Sequence, residues 1–162
     1  YIQQRALAPR ASGSSDAGAV RHDTVLDDAD VALIRRSDTL FLGTTHPERG
    51  NDASHRGGPV GFVRVEDATH LWWPDYQGNN MFNSFGNLQV GATAALVFID
   101  FAPGETGHLS GTAELQWTDG AGDDGDTGRR VRFTIERVVS GVRLPVGADG
   151  VGPYPMNPPL TD

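Results

Sequence analysis

Six short hydrophobic runs, each bounded by Gly, Pro or Asp, constrain the fold of this chain more than any other feature. In the last run Val131, Phe133, Ile135 and Val138 nearly keep the two-residue period of a strand with one buried face. No regular alternation of strands and helices is present, which argues against a doubly wound fold. We therefore predict a mainly β (α+β) fold, a six-stranded antiparallel barrel with a few short helices. The runs are TLFLGTT (39–45), GFVRV (61–65), HLWWP (70–74), AALVFIDF (94–101), HLSGTAELQW (108–117) and RRVRFTIERVV (129–139).

Two segments have helical character. TVLDDADVALIRR (24–36) offers Asp27 or Asp28 as an N-cap, and its arginines suit a helix C-terminus. A second helix is predicted around GNNMFNSFGNL (78–88).

Composition outside the barrel predicts a linker or mobile arm at ASGSSDAGA (11–19). The predicted organisation is an N-terminal arm (1–24), a barrel domain (25–145) and a Pro/Gly-rich C-terminal tail (146–162).

Charge and composition exclude several classes of function. The 162 residues carry a net charge of −8, and the 13 basic residues are all arginine. Such an acidic body is a poor nonspecific binder of nucleic acid or anionic membranes. Without lysine there is no Schiff-base chemistry, and without cysteine there are no thiolate metal sites. No apolar run approaches the roughly 18 residues that span a bilayer. The chain starts without Met, and YIQQRALAPR lacks the core of a signal peptide, so we expect a trimmed N-terminus and a cytoplasmic protein.

Motifs for metal, nucleotide and serine-hydrolase chemistry are not supported. The five histidines form no HExxH pair, so no metal site is predicted. GAGDDG (120–125) has the spacing of a dinucleotide loop, but a strand follows it and its aspartates would repel a phosphate. We interpret it as a solvated hairpin loop. No GxSxG motif is present.

Two stretches have the composition of a binding site. In ASHRGGPVGFVRV (53–65) Arg56 precedes Gly57 and Gly58, which let the backbone approach a flat or anionic group closely. An exposed Arg56 at a bulged strand is the alternative. In PDYQGNNMFNSFGNL (74–88) a helical turn beginning at Gly78 would offer free N–H groups and amides to an anion. An elaborate helix cap is the alternative there.

Several of these blocks, in this order, resemble the pyridoxamine 5′-phosphate oxidase family, and especially its predicted flavin-nucleotide-binding branch. The resemblance covers roughly residues 38–118. It implies a split β-barrel that binds FMN in a groove between the two subunits of a homodimer. The matching blocks are HPERGNDASHRGGPVGFVRV, WWPDYQGNNMFNSFGNL, ALVFIDF and LSGTAELQW.

The resemblance also implies a set of cofactor-binding residues. The SHRGG block corresponds to the strand beside the flavin phosphate and ribityl chain, and WWPDY to the strand end along the isoalloxazine. Where the vitamin B6 oxidases carry serine, arginine and lysine against the phosphate, this chain has Gly78, Asn79 and Asn80. Two cations are thus replaced by amides, which leaves a deazaflavin or haem open as the ligand. The expected cofactor-binding residues are Arg56, Gly57, Gly58, Trp73, Pro74, Asp75, Gly78, Asn79, Asn80, Asn83 and Asn87.

The resulting functional prediction is an FMN-dependent oxidoreductase that acts on a small organic substrate. His55, Asp75 and Tyr76 are the candidate proton donors. The C-terminal tail lacks the basic, histidine-containing pattern of the vitamin B6 oxidases, so pyridoxamine phosphate is a poor substrate candidate. The alternative is a non-catalytic flavin- or haem-binding module, or the flavin domain of a larger reductase assembly.

A homodimer is expected from the resemblance and from four large aromatic residues. Aromatic side chains are enriched in interface cores. The same rings could instead fill the barrel core, and from the sequence alone the two interpretations are equally supported. The residues are Trp72, Trp73, Phe82 and Phe85.

Overall fold

The computed structural model describes residues 1–10, 19–119, 127–148 and 150–157. Two helices and twelve strands occur in these ranges, several of the strands only two residues long. In chain order the elements are β1 (Gln3–Gln4), β2 (Ala8–Pro9), β3 (Arg21–Asp23), α1 (Asp28–Arg36), β4 (Thr39–His46), β5 (Gly50–Gly57), β6 (Arg64–Val65), β7 (His70–Pro74), α2 (Asn83–Val90), β8 (Thr93–Asp100), β9 (Glu105–Trp117), β10 (Arg129–Arg143), β11 (Val146–Gly147) and β12 (Gly152–Pro153).

One large antiparallel sheet dominates the described residues. Its strand order is β5-β4-β8-β9-β10-β7-β6, and β3 adds a further pairing to β10. The predicted mainly β class is confirmed, but the sheet has eight strands rather than six. Within this sheet β5 is paired on one side only, so half of its backbone hydrogen-bonding groups face away from the sheet.

The alternation in the sequence determines the buried face of β10. Val131, Phe133 and Ile135 are all buried in the core. The register against β9 then shifts between Ile135 and Arg137, and this irregularity returns Val138 to the buried face. The departure from strict period two in the sequence therefore corresponds to a β-bulge.

The first helix follows its capping signals. Asp27 is the N-cap: its Oδ1 accepts a hydrogen bond from the Asp30 backbone N–H at 2.9 Å. Asp30 Oδ2 accepts from the Asp27 backbone N–H at 3.1 Å in return, which completes a capping box. Leu33 and Ile34 are buried against the sheet.

The structure differs from the prediction around residues 50–65. The polar segment Gly50–Gly57 forms β5 although it has no hydrophobic run. It lies at the edge of the sheet and pairs with β4 alone. The predicted strand 61–65 is reduced to Arg64–Val65. Phe62 and Val63 are nevertheless core residues, held in the turn that precedes β6.

The two ends of the described chain pair with each other. β1 pairs with β12 and β2 pairs with β11, both antiparallel.

The predicted loop at 120–125 and residues 11–18 of the predicted linker lie outside the described residues. Neither described helix is long and apolar enough to cross a membrane.

Candidate functional site

A cavity of about 440 Å³ lies between the unpaired edge of β5 and the end of β7. The loop from β7 into α2 closes a further side. Nine of the predicted site residues line it, namely His55, Arg56, Gly57, Pro74, Asp75, Tyr76, Gly78, Asn79 and Asn83. The structure thus brings together two stretches that the sequence separates, the end of β5 and the segment after β7.

Asp75 connects two arginines at the wall of this cavity. Its carboxylate is 5% exposed. It accepts a hydrogen bond from Arg129 Nε at 2.8 Å and a longer one from Arg56 Nη1 at 3.4 Å. Asp75 therefore links Arg56 to Arg129 at the cavity wall.

The Arg56 side chain is mostly buried, with 20% of its surface exposed. Its guanidinium carbon lies 4.9 Å from the centre of the Phe85 ring. Burial lowers the pKa of Arg56 from its usual value, while the negative charges of Asp75 and Asp52 act in the opposite direction. Arg56 Nε has no hydrogen-bond partner among the described residues. The alternative of a simply exposed Arg56 is wrong, because the side chain is mostly buried in the cavity wall.

Three polar residues that the sequence analysis missed form a hydrogen-bonded cluster in the cavity. Ser84 Oγ donates to Asp52 Oδ2 at 2.5 Å, and Ser54 Oγ lies 2.8 Å from Ser84 Oγ. Ser84 is 2% exposed, and all three residues line the cavity. A signal was present in the sequence, because residues 52, 54 and 56 alternate and so share one face of a strand.

The other two predicted proton donors also line the cavity. The Tyr76 ring packs against Tyr1 and Phe62, with centroid distances of 6.1 and 6.2 Å. The His55 ring meets the edge of Phe41 at 5.8 Å. Desolvation, assisted by the nearby positive charges including Arg56, lowers the pKa of His55. At neutral pH the neutral imidazole is therefore favoured, a state better suited to accepting a proton than to supplying one.

The glycine pair does allow a close approach, but by groups of the chain itself. A Cβ on Gly57 would lie 2.4 Å from the Tyr1 carbonyl oxygen. A Cβ on Gly58 would lie 2.5 Å from the Phe62 ring and 2.7 Å from the Tyr76 ring. Of the two glycines, Gly57 borders the cavity.

The predicted helix start at Gly78 is wrong. Asn80 has a φ of 59°, a left-handed conformation that a helix cannot include, and the Met81 backbone N–H donates to Asn79 Oδ1 at 3.0 Å to form a local turn. The helix α2 instead begins at Asn83, with Phe82 as its N-cap. Asn79 and Asn80 therefore do not form the predicted anion site at a helix N-terminus.

Two further predicted cofactor residues lie away from the cavity. Trp73 is 1% exposed and belongs to the hydrophobic core, because its side chain points to the buried face of β7. The Asn87 side-chain amide donates to Thr44 Oγ1 at 3.0 Å and connects α2 to β4. Both residues are corrected from cofactor contacts to structural positions. Asn80 likewise does not line the cavity.

Comparison with known families connects this geometry to a function class. The sequence profile of the pyridoxamine 5′-phosphate oxidase family matches residues 26–137, more than half of the chain. The chain belongs to this family. The predicted resemblance is thereby confirmed, and the family's split-barrel architecture agrees with the mainly β sheet described above.

Solved structures of other family-like proteins share the fold. One from Lactobacillus delbrueckii, provisionally named a pyridoxamine 5′-phosphate oxidase, is 20% identical, covers 72% of this chain and 94% of its own, and has a TM-score of 0.58. HupZ of Group A Streptococcus is 16% identical, covers 77% and 98%, and scores 0.56. The Vibrio cholerae heme storage protein HutZ is 12% identical, covers 73% and 96%, and scores 0.50. No curated protein matches the chain significantly.

The cavity of this family member fits a flavin nucleotide in its donor set. Its volume falls within the range of about 300–1,000 Å³ typical of small-molecule sites. Arg56 supplies a cation, and Asn79 and Asn83 supply side-chain amides. The carboxylates of Asp52 and Asp75 are both bound by protein donors. Among the described residues no group of three histidines or carboxylates is placed to hold a metal ion.

Proposed function

We propose that this protein is an FMN-dependent oxidoreductase that acts on a small organic substrate. The observation that carries the proposal is the Arg56 guanidinium, a mostly buried cation in the wall of the cavity. A phosphate oxygen would pair with this cation through a charge-assisted hydrogen bond. Family membership supports the same cofactor class.

Different residues of the cavity would contact different parts of this cofactor. Arg56 would hold the phosphate, and Asp75 keeps Arg56 in position together with Arg129. Tyr76 offers aromatic surface to the ring system. When bound, FMN supplies reversible hydride and electron transfer, while the protein supplies orientation and electrostatics. Tyr76 and His55 remain the candidate groups for moving a proton.

A second cavity, of about 370 Å³, supports a substrate other than pyridoxamine phosphate. It shares Gly78 and Asn79 with the first cavity and extends to Tyr154, Met156 and Asn157 of the C-terminal segment. All of its lining side chains are uncharged. A phosphorylated substrate would find no cationic side chain there.

The predicted homodimer and cytoplasmic location belong to this proposal as well. Two of the four aromatic residues lie in the core, Trp73 at 1% and Phe85 at 5% exposure. Phe82 is 47% exposed and Trp72 is partly exposed, so these two are available to a partner subunit. A homodimer would bury them, as interface cores commonly bury aromatic side chains.

A non-catalytic haem- or flavin-binding module is the second candidate. The fold likeness to the Vibrio cholerae heme storage protein favours it, and His55, which lines the cavity, is a residue that would ligate a haem iron. The absorption spectrum of the purified protein distinguishes the two ligands, since haem and flavin have different visible bands.

Turnover separates an enzyme from a storage module. The FMN-loaded protein is mixed anaerobically with NADH or NADPH, and the loss and return of the flavin bands are followed before and after admission of air. We expect bleaching followed by recovery. A protein that holds FMN but whose flavin is reduced by neither NADH nor NADPH would contradict the enzymatic assignment.

A further inference from the structure

The side chain of Asn157 joins residues 1–4 to residues 152–157, and these two short segments together are named the flap. Asn157 Oδ1 accepts a hydrogen bond from the Ile2 backbone N–H at 2.7 Å, and Asn157 Nδ2 donates to the Ile2 carbonyl oxygen at 2.8 Å. One carboxamide thus pairs with both backbone polar groups of Ile2, as a residue of a neighbouring antiparallel strand would. The Tyr154 backbone N–H donates to the same Ile2 oxygen at 3.0 Å, and β1 pairs with β12 beside it.

The flap forms part of the wall of the first cavity, the proposed flavin site. Tyr1 and Ile2 line that cavity, and both also line the second cavity, as Asn157 does. The Tyr1 carbonyl oxygen packs so closely on β5 that a Cβ added to Gly57 would lie 2.4 Å from it. Asn157 itself does not line the first cavity, so it acts on that cavity through Ile2 and Tyr1.

Hydrogen bonds, more than packing, keep the two halves of the flap together. None of its residues is buried, whereas Pro74, Asp75 and Ser84 in the wall of the same cavity are. Ile2 and Tyr154 expose 48% and 37% of their surface. Segments with few buried apolar contacts open locally at a lower free-energy cost than the core of a domain. The flap is therefore a part of the cavity wall that can open while the sheet stays folded.

The residue that follows the flap is anchored to the sheet. Arg5 forms an ion pair with Asp38, and the two side chains are only 12% and 8% exposed. The Arg5 guanidinium carbon also lies 4.5 Å from the centre of the Phe101 ring. Opening would therefore be confined to residues 1–4, with Arg5 as the fixed point.

We infer that Asn157 is a positioning residue of the proposed FMN site, and that release of its two hydrogen bonds to Ile2 opens the path by which the cofactor enters and leaves. The inference rests on the proposed function and concerns how that site is controlled. A gate of this kind has a kinetic signature. Because the ligand passes only while the flap is open, weakening the closed state raises the rates of association and dissociation together.

Stopped-flow fluorescence of FMN measures this signature. Quenching after FMN is mixed with the apo-protein gives the association rate constant, and recovery of fluorescence on dilution gives the dissociation rate constant. Asn157→Ala removes both hydrogen bonds, while Asn157→Asp keeps the shape of the side chain but cannot donate to the Ile2 oxygen. Asn51→Ala, at an exposed asparagine of β5 that lines neither cavity, is the matched control. Circular dichroism verifies that every variant is folded.

Amide exchange at Tyr154 follows the flap without any ligand. Its backbone N–H donates to the Ile2 oxygen, so opening of the flap exposes this amide to water. We expect the Tyr154 amide to exchange about tenfold faster in Asn157→Ala than in the wild type, as measured by NMR.

We expect Asn157→Ala to raise the association and dissociation rate constants of FMN about tenfold each. This factor corresponds to about 1.4 kcal/mol, the scale of the hydrogen bonds lost. The dissociation constant, which is the ratio of the two rate constants, should change less than either of them. Asn157→Asp should show the same pattern, and Asn51→Ala should behave as the wild type does.

Three results would overturn the inference. If both Asn157 variants bind and release FMN at the wild-type rates, the flap does not control exchange, while the flavin proposal stands. Faster dissociation with unchanged association would show that Asn157 only supports the local structure. If FMN fails to bind the folded wild type, the inference and the proposed function both fail, whatever the exchange rate of the Tyr154 amide.

Discussion

Asp75 lies in the cavity wall between two arginines, neither of which is its neighbour in the sequence. The sequence places it after a predicted strand, beside Tyr76, where a carboxylate could act as an acid. In the structure its two oxygens accept from Arg129 and Arg56. Arg129 lies far along the chain at the start of β10, so no local pattern connects it to Asp75. The sequence around Asp75 therefore does not predict its pairing with Arg129, which is 54 positions away.

Arg56→Ala should weaken FMN binding by roughly 30-fold or more. Losing one member of a buried charged pair costs about 2–5 kcal/mol, and each 1.4 kcal/mol is about tenfold in affinity. Flavin fluorescence quenching measures the dissociation constant. Arg137→Ala, an exposed arginine of β10, serves as the control and should bind like the wild type. Equal affinity of Arg56→Ala and the wild type would show that the phosphate lies elsewhere.

Asp67 should make stability depend on pH in the acid range. Hydrogen bonds from the Thr69 backbone N–H and hydroxyl, and then from His70, lower the pKa of Asp67 from 3.8 to about 2. A carboxyl whose pKa is lower in the folded state contributes stability above the unfolded value, and this contribution is lost as pH falls from about 4 to about 2.

The free energy of urea unfolding, measured across that pH range, tests this linkage. Asp67→Asn should be less stable than the wild type at neutral pH, and the difference should shrink as pH falls toward 2. The exposed carboxylate Glu136 offers a control in Glu136→Gln. A difference between wild type and Asp67→Asn that does not change with pH would contradict the assignment.

At the scale of elements, hydrophobic periodicity and helix-capping residues predicted most of the fold. The exceptions were β5 and the start of α2, which are rich in polar residues. β10 and α1 follow from alternation and from the capping residue Asp27. β5 has no apolar alternation, and only its pairing with β4 makes it a strand. The start of α2 was placed too early because Asn79 and Asn80 form a turn through side-chain and left-handed backbone geometry. Turn and edge geometry depend on neighbours that a single sequence does not show.

Two glycines should respond oppositely to alanine because of the elements that contain them. A Cβ on Gly111 of β9 would lie 2.0 Å from the Thr134 carbonyl oxygen of β10, so Gly111→Ala should lower the free energy of unfolding by more than about 3 kcal/mol. Gly86 lies inside α2 with no atom within 4 Å of the added carbon. Gly86→Ala should raise stability by up to about 1 kcal/mol.

Chemical unfolding of both variants measures these effects. If Gly111→Ala is as stable as the wild type, β9 and β10 are not packed as closely as described. A loss of stability in Gly86→Ala would indicate that the exposed face of α2 is covered by something other than water.

At the scale of the whole molecule, the site exists because the sheet leaves β5 with an unpaired edge beside the end of β7. Family resemblance predicted the architecture and the two stretches that meet there, and the profile match confirms the family. It could not predict the cluster of Asp52, Ser54 and Ser84, whose members come from β5 and α2. We propose that the cavity beside this edge binds a flavin nucleotide.

Titration of the folded apo-protein with FMN tests that claim most directly. Flavin fluorescence is followed as protein is added, with FAD titrated in parallel and circular dichroism as the check on folding. We expect saturable quenching by FMN, with a dissociation constant in the micromolar range or below, and weaker FMN binding by Arg56→Ala. A folded protein that leaves both FMN and FAD unquenched would contradict it.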